Sequence, residues 1–281
     1  MHVVVIGAGL GGLSSAAYLS RSGHNVTLER DDIPGGRAGV IDSHGFRLDN
    51  GPTVLTMPGL LEDAFAAAGA NMADFVTIKK VDPMYRAVYE DGSELMVRHG
   101  REAMAEEIAK FSNKVEAAAF IKFCNWLEDL YKAEMSSFID TNYDSVLDLA
   151  KPWRDGLRLV QMGAFRKLDK KIGGFFKDDR LQRIFSFQSM YAGLAPYEAL
   201  SLYAVITYMD AVEGVFFPEG GMHAMATGLA AAVEKAGVRI QYGSSVSRIL
   251  RSSGSRGYVT GVELENGERI TCDAVVCNPD L

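Results

Sequence analysis

The chain has 281 residues, of which 48% are hydrophobic and 23% charged, and its formal net charge is −7. This composition excludes a disordered or low-complexity chain, and the length allows one large or two modest domains. The acidic balance, with a pI of about 5.3, argues against a nucleic-acid-binding protein, which would carry a basic excess.

The cysteine and histidine content predicts neither a disulfide framework nor a metal site. Cys124, Cys272 and Cys277 form no CxxC pair, and the five histidines are scattered without metal-ligand spacing. Cysteine usage of this kind favours a reducing compartment, so we expect a cytoplasmic protein. The longest later apolar run, residues 199–209, is far shorter than the ~20 residues of a membrane-spanning helix.

The first 70 residues predict a β-α-β unit followed by a hairpin and a helix. β-branched runs indicate buried strands, helical spacing of small and apolar residues indicates helices, and turn residues separate them. The predicted elements are strand 2–6, helix 10–21, strand 25–29, hairpin strands 40–42 and 46–49, and helix 58–69.

From about residue 75 the pattern becomes mostly helical, and it returns to α/β near residue 214. The predicted elements are strands 75–80, 84–90 and 94–97, a helical block over 101–209, a turn-rich crossing over 214–221, helix 222–236, and strands 238–241, 246–250, 258–265 and 274–276. The order predicts an α/β domain, 1–74 and 214–281, interrupted by a mostly helical domain, 75–213. A doubly wound sheet carries a covering helix after such a last strand, so we expect an N-terminal fragment that lacks the C-terminal part of the fold.

A glycine-rich motif, Gly7-Ala8-Gly9-Leu10-Gly11-Gly12, joins the first strand to the first helix. Gly7 permits the tight turn, Gly9 lets a pyrophosphate approach the backbone, and Gly12 allows close helix–strand packing. The helix N-terminus offers free N–H groups and the positive end of the helix dipole. Glu29, about 20 residues further on, is placed to accept hydrogen bonds from a ribose. The motif therefore predicts a dinucleotide-binding site with a Rossmann-like parallel sheet.

The segment DIPGGRA at 32–38 favours FAD over a nicotinamide. A GGR shortly after the ribose acid resembles the flavoproteins of the amine-oxidase-like superfamily. The resemblance implies that Gly36 keeps the backbone close to the cofactor and that Arg37 faces the pyrophosphate or the flavin edge. An exposed loop arginine is the alternative for Arg37. Glu29 also disfavours NADP, because an acid repels a 2′-phosphate.

Three further motifs resemble, in the same order, segments of the bacterial-type carotenoid desaturases, the phytoene desaturases in particular. They are FRLDNGPT at 46–53, FSFQSMYAGLAP at 185–196 and GVFFPEGGM at 214–222. The resemblance spans essentially all 281 residues. It implies further cofactor contacts at Gly51, Pro52 and Thr53, and a contact between the Val246 backbone and the adenine. Family members are close to twice this length, so the chain alone is expected to be inactive.

What the resemblance implies about activity is FAD-dependent dehydrogenation of a long apolar isoprenoid such as phytoene. The cofactor takes a hydride and a proton leaves the neighbouring carbon, so no catalytic side chain is predicted. Quinone or oxygen is the expected electron acceptor. Two alternatives remain open. One is another flavoprotein of the superfamily, such as a retinoid saturase or an amine oxidase. The other is a non-catalytic lipid-binding escort protein like the GDP-dissociation inhibitors.

A basic stretch over 151–177 predicts peripheral attachment to the cytoplasmic face of a membrane. It contains eight Lys and Arg against two acids, with aromatic and aliphatic residues between the charges. The alternative is an ordinary exposed helix of the inserted domain. A substrate that dissolves only in membranes favours attachment.

Overall fold

The computed structural model describes residues 1–29, 33–139, 141–145, 148, 152–253 and 257–278, and the side chains of Leu28, Glu29 and Ser136 lie outside that description. The chain divides into two compact units. Unit 1 comprises Met1–Lys79 and Phe216–Leu281, and unit 2 comprises Lys80–Val215. The domain boundaries drawn from the sequence, 74/75 and 213/214, stay a prediction.

The elements alternate in chain order between strands and helices in unit 1 and are mostly helical in unit 2. The first segment contains β1 (His2–Ile6), α1 (Leu10–Arg21), β2 (Asn25–Glu29), β3 (Gly39–Ser43), β4 (Phe46–Asn50), α2 (Pro58–Ala67) and β5 (Ile78–Lys80). Unit 2 contains β6 (Tyr85–Val88), β7 (Glu94–Val97), α3 (Arg101–Phe111), α4 (Lys114–Glu134), α5 (Trp153–Met162), α6 (Leu168–Phe175), α7 (Asp179–Ile184) and α8 (Ala204–Thr207). The last segment contains β8 (Phe216–Pro218), α9 (His223–Lys235), β9 (Arg239–Gln241), β10 (Val246–Arg251), β11 (Val259–Leu264), β12 (Arg269–Thr271) and β13 (Ala274–Cys277).

Unit 1 is built on a four-stranded sheet with strand order β13-β1-β2-β9, in which every pair is parallel. Ile6 pairs with Glu29 on one side and with Cys277 on the other. The carboxyl ends of β1, β2 and β13 therefore meet at one edge, where dinucleotides bind in open parallel sheets. The α/β class with a parallel sheet is confirmed.

Small residues let α1 pack closely on this sheet. Leu13, Ala16 and Ala17 are fully buried and share a core with Val5 and with Leu229 of α9. Strands β10, β11 and β12 form a separate antiparallel meander. Asn266 and Gly267, a residue pair typical of hairpin turns, lie between β11 and β12.

The structure corrects several predicted element bounds between 72 and 221. Met72–Asp74 is a 3-10 helix, so the strand expected over 75–80 begins only at Ile78. The turn-rich crossing expected over 214–221 also contains a strand, β8, which pairs with β5. Each of these strands is three residues long. Whether so short a segment forms a strand depends on pairing with a distant partner rather than on the local sequence pattern.

The core of unit 2 is an aromatic cluster centred on Phe123 of α4. Its ring lies within 5.3 Å of Phe175 and Phe176 and within 5.8 Å of Phe185, measured between ring centroids. Cys124 is fully buried beside this cluster, and burial raises the pKa of its thiol to about 12. No helix in the described part of the chain is long and apolar enough to cross a membrane.

Candidate dinucleotide site

The glycine loop lies between the end of β1 and the start of α1. Gly7 has a positive φ of 101°, a conformation that L side chains rarely adopt. A Cβ atom on Gly12 would overlap the carbonyl oxygen of Gly7. The turn and the first helical turn therefore fit together only with glycine at these positions.

The N-terminus of α1 is open to an anionic ligand. Gly9 is the N-cap residue with an extended backbone, and no side chain caps the helix. No acidic residue lies in its first turn. The first N–H groups of the helix, together with the positive end of its dipole, can therefore bind a pyrophosphate.

A second loop, Pro34 to Arg37, packs backbone to backbone on the glycine loop. The N–H of Gly35 donates a hydrogen bond of 2.8 Å to the carbonyl of Ala8, and Gly35 forms a parallel β-bridge with Gly9. A Cβ on Gly36, whose φ is 56°, would lie 3.3 Å from the Cα of Gly9. The two predicted motifs thus meet in one glycine-lined surface.

Helix α9 also contacts the second loop. Nε2 of the buried His223 lies 2.8 Å from the carbonyl oxygen of Pro34. Because a carbonyl only accepts, Nε2 carries the proton and donates it in this bond. Nδ1 is then an acceptor, and Nη2 of Arg47 lies 3.5 Å from it.

Asp49 ties the β3–β4 hairpin to the start of α9. Its carboxylate accepts hydrogen bonds from the N–H groups of Met222, at 2.9 Å, and His223, at 3.2 Å. A Cβ on Gly221 would lie 2.8 Å from this carboxylate, so the glycine allows the close approach. The carboxylate satisfies N–H groups at the α9 start, as an N-cap side chain would.

The structure brings together five of the residues predicted from the sequence. Gly7, Gly9 and Gly12 form the first loop, Gly36 packs on Gly9, and a Cβ on Gly51 would overlap the carbonyl oxygen of Arg37. Gly51 thereby fixes the end of β4 against the second loop.

The remaining predicted residues are placed less closely. Glu29 ends β2 beside Ile6, but its side chain lies outside the described residues, as do positions 30–32. Arg37, Pro52 and Thr53 lie exposed on the loops around Gly51. No described contact joins Val246 to the glycine loop. It begins β10 opposite Leu264 and packs against a small cluster with Val4, Val262 and Cys272.

Sequence reasoning missed Asp49, His223 and Asn278 as site residues. Asp49 and His223 lie in or directly after the quoted motifs, yet their roles depend on contacts between distant segments. Asn278 follows β13, and a Cβ on Gly11 would lie 3.0 Å from its side-chain amide. Its place at the carboxyl edge of the sheet could have been inferred from the parallel strand order.

The whole chain resembles known flavoproteins. A family model described as "Flavin containing amine oxidoreductase" matches residues 10–281. The chain belongs to this family. The phytoene dehydrogenase of Streptomyces griseus is 51% identical over 281 residues, which are 100% of this chain and 54% of that protein. The zeta-carotene-forming phytoene desaturase of Myxococcus xanthus is 34% identical over 284 residues, 100% of this chain and 53% of that protein.

Solved structures resemble the chain as well. An oxidoreductase from Methanosarcina mazei has a TM-score of 0.59 at 22% identity and is covered over 58% of its length by 99% of this chain. That similarity shows the fold alone. The chain spans about half the length of the curated relatives that it matches. The resemblance inferred from the motifs is confirmed.

The family is flavin-containing, so a flavin is the cofactor it implies. The residues present fit the diphosphate end of a dinucleotide. Gly7 and Gly12 of this loop exclude a side chain, and the uncapped N-terminus of α1 directly follows the turn. Among the described residues, no group of three or more His, Cys, Asp and Glu could hold a metal ion.

Proposed function

We propose that this chain forms the cofactor-binding part of an FAD-dependent desaturase that acts on a long apolar isoprenoid such as phytoene. The observation that carries the proposal is the 51% identity, over the whole chain, to a protein named phytoene dehydrogenase. The glycine cradle supports it, because a dinucleotide pyrophosphate requires backbone that it can approach closely.

The cofactor would be held mainly by backbone. The proposed contacts are Gly7, Gly9, Gly12, Glu29, Gly36, Arg37, Gly51, Pro52, Thr53 and Val246. The open N-terminus of α1 supports the pyrophosphate contacts, and the end of β2 beside β1 supports a ribose contact for Glu29. The packing of Gly51 on Arg37 supports a joint role for the two loops near the flavin. The adenine contact of Val246 rests on the resemblance alone.

Bound FAD would supply the oxidation by accepting a hydride from the substrate. The residues of the chain would bind the cofactor and orient it. The hydrogen bond from Gly35 to Ala8 holds the second loop against the first, and the bond from His223 to Pro34 holds it against α9. Rigid support matters because small displacements of a cofactor from its reacting bond reduce the rate steeply. We propose no catalytic side chain.

The proposed partners follow from the substrate. A polyene precursor dissolves in membranes, so the enzyme would work at the cytoplasmic face of a membrane as a peripheral protein. Quinone or oxygen would reoxidise the flavin. The basic, aromatic-rich residues of 152–177 support attachment to anionic lipid.

A chimera tests the function in an intact fold. Residues 1–281 are joined to the C-terminal part of the Streptomyces griseus relative, and the protein is supplied with FAD and with phytoene in vesicles. We expect stoichiometric FAD and a product that absorbs visible light. The same chimera with Gly12→Val is the matched control and should lose both.

Three results would contradict the proposal. Binding of NADH without FAD would refute the cofactor. An FAD-loaded chimera that oxidises amines and leaves phytoene unchanged would favour the amine oxidase alternative. A colourless chimera that carries lipid between vesicles would favour the escort protein.

A further inference from the structure

Helix α5 exposes apolar side chains on one face. Trp153, Leu157 and Val160 are 62%, 50% and 59% exposed. Their spacing, i, i+4 and i+7, places them in one row along the helix. Phe165, just beyond the helix end at Gly163, is 53% exposed. We refer to these four residues as the apolar row.

The opposite face of α5 is firmly docked in unit 2. Leu159 is buried in the unit 2 core, and the indole N–H of Trp126 donates to the carbonyl of Met162 at 3.2 Å. The guanidinium of Arg158 donates to Asp129 at 2.9 Å. Helix α5 therefore already packs one face against unit 2. The apolar row forms a second apolar face, which is exposed.

A surface helix with one docked face ordinarily carries polar residues on the other. Four large apolar side chains within 13 positions, all about half exposed or more, mark a surface that binds a partner. Trp153 suits the boundary between lipid headgroups and acyl chains, where amphipathic aromatic rings accumulate, and Phe165 suits the acyl side of that boundary.

The charges around the row indicate what that partner is. The guanidinium of Arg154 lies 5.4 Å from the centre of the Trp153 ring. The exposed Arg166 and Lys170 continue the basic surface beyond the helix. An acidic chain with a local excess of cations beside an apolar row is complementary to an anionic bilayer.

We propose that α5 and Phe165 lie in the surface of an anionic membrane, with the apolar row among the acyl chains and Arg154 at the level of the phosphates. This inference rests on the proposed function for its biological setting, since a membrane-dissolved substrate requires contact with the bilayer. Its evidence is separate, because no cofactor or substrate residue takes part.

The sequence predicts membrane attachment through the basic stretch, whereas the structure favours the apolar row over two of its lysines. Nζ of Lys167 donates to the carbonyl of Glu198 at 2.7 Å, and Nζ of Lys171 donates to the carbonyl of Met162 at 2.9 Å. The Lys171 ammonium also lies 4.7 Å from the centre of the Trp126 ring. These two lysines are bound within unit 2, so apolar insertion should contribute more than they do.

Co-sedimentation of the 281-residue chain with vesicles tests the inference without substrate. The vesicles contain phosphatidylcholine with phosphatidylglycerol, or phosphatidylcholine alone. We expect binding to the anionic vesicles and a loss of about tenfold or more in the Leu157→Glu/Val160→Glu double variant. The matched control is Val115→Glu on α4, because Val115 is 77% exposed and lies outside the row. It should bind like the unsubstituted chain.

A fluorescence measurement keeps the test independent of how the glutamate variants fold. The chain has two tryptophans, so Trp126→Phe leaves Trp153 as the single emitter. We expect a blue shift of its emission on addition of anionic vesicles, and quenching by brominated acyl chains. Emission that stays unshifted and unquenched would overturn the proposal.

Two further outcomes distinguish the membrane contact from dimer formation and from the proposed function. If the double variant abolishes a dimer of the unsubstituted chain and vesicles do not sediment either protein, the row is covered by a second copy and the proposal is wrong. If the chain binds vesicles through the row while the chimera described above neither holds FAD nor desaturates phytoene, the proposed function fails and the membrane contact stands.

Discussion

His223 donates its Nε2–H to the carbonyl of Pro34 across 189 positions of sequence, at a distance of 2.8 Å. This one bond connects the first turn of α9 to the loop that packs on the glycine loop. Both groups are buried, so neither finds water when the other is removed. His223 would act on a cofactor only through the second loop, so the role we propose for it is that of a positioning residue.

Removing the imidazole should loosen the second loop. We expect His223→Ala to lower the free energy of unfolding by about 1–3 kcal/mol, since a buried carbonyl loses its donor. FAD affinity of the chimera should fall by about tenfold, as measured by flavin fluorescence titration. His24→Ala is a histidine control away from this loop. Equal FAD affinities for His223→Ala and the unsubstituted chimera would show that the bond does not position the site.

Gly12 should tolerate no side chain at all. A Cβ there would overlap the Gly7 carbonyl oxygen, so Gly12→Ala must push α1 away from β1. We expect a loss of about 1–3 kcal/mol in denaturant unfolding, together with loss of FAD binding. Gly59→Ala is the matched control. Gly59 lies in α2, where an added Cβ would meet no atom within 4 Å, so its substitution should stabilise by up to about 1 kcal/mol.

The sequence predicts those residues of the site whose role depends only on neighbouring positions of the chain. Gly7 and Gly12 are needed within one strand–turn–helix, so their spacing alone identifies them. The contacts of Gly36 with Gly9 and of His223 with Pro34 join distant segments, and no local pattern reports such a pairing.

In unit 2 the sequence predicts helices but not their type or their buried face. The helical block over 101–209 is predicted as a whole, but the π-helical turns at Met135–Ile139 and Tyr208–Glu213 are not, because they arise from packing rather than from residue type. Amphipathic spacing in α5 is visible in the sequence. Which of its faces is buried depends on where α4 lies, and only the structure places Leu159 inside and Trp153 outside.

Glu134 should make unit 2 less stable as pH rises. It is buried at the end of α4, and burial raises the pKa of its carboxyl from 4.5 to about 8. The unfolded chain releases this proton at lower pH than the folded chain, so the free energy of unfolding falls as pH rises from about 4.5 towards 8. Glu134→Gln cannot ionise, so its unfolding free energy should lack this decline.

Urea unfolding of both proteins between pH 4 and pH 8 measures the effect of Glu134, with the more exposed Glu102→Gln as control. The difference between Glu134→Gln and the unsubstituted chain should grow steadily across that range. A difference that does not vary with pH would mean that Glu134 ionises alike in the folded and unfolded chains.

Asp178 should show the opposite pH dependence. Its carboxylate caps α7 by accepting the N–H of Arg180 at 3.0 Å, and it binds the Arg180 guanidinium at 2.8 Å. Hydrogen bonds from Arg180 lower the pKa of Asp178 from 3.8 to about 2. The stabilisation is therefore present above about pH 4 and is lost as pH falls towards 2. Asp178→Asn should cost about 1–2 kcal/mol at pH 7 and much less at pH 2.

The neighbouring pair provides the matched control for Asp178. Asp179 bonds Arg183 at 2.7 Å, but both side chains are mostly exposed, at 67% and 73%. Solvent screens such a pair, so Asp179→Asn should change the unfolding free energy by less than about 0.5 kcal/mol at either pH. In Asp178→Asn the amide oxygen can still accept the Arg180 N–H, so the measured loss reports the charge together with the second guanidinium hydrogen bond. If the two variants lose the same stability at pH 7, the charge of Asp178 contributes no more than that of an exposed ion pair.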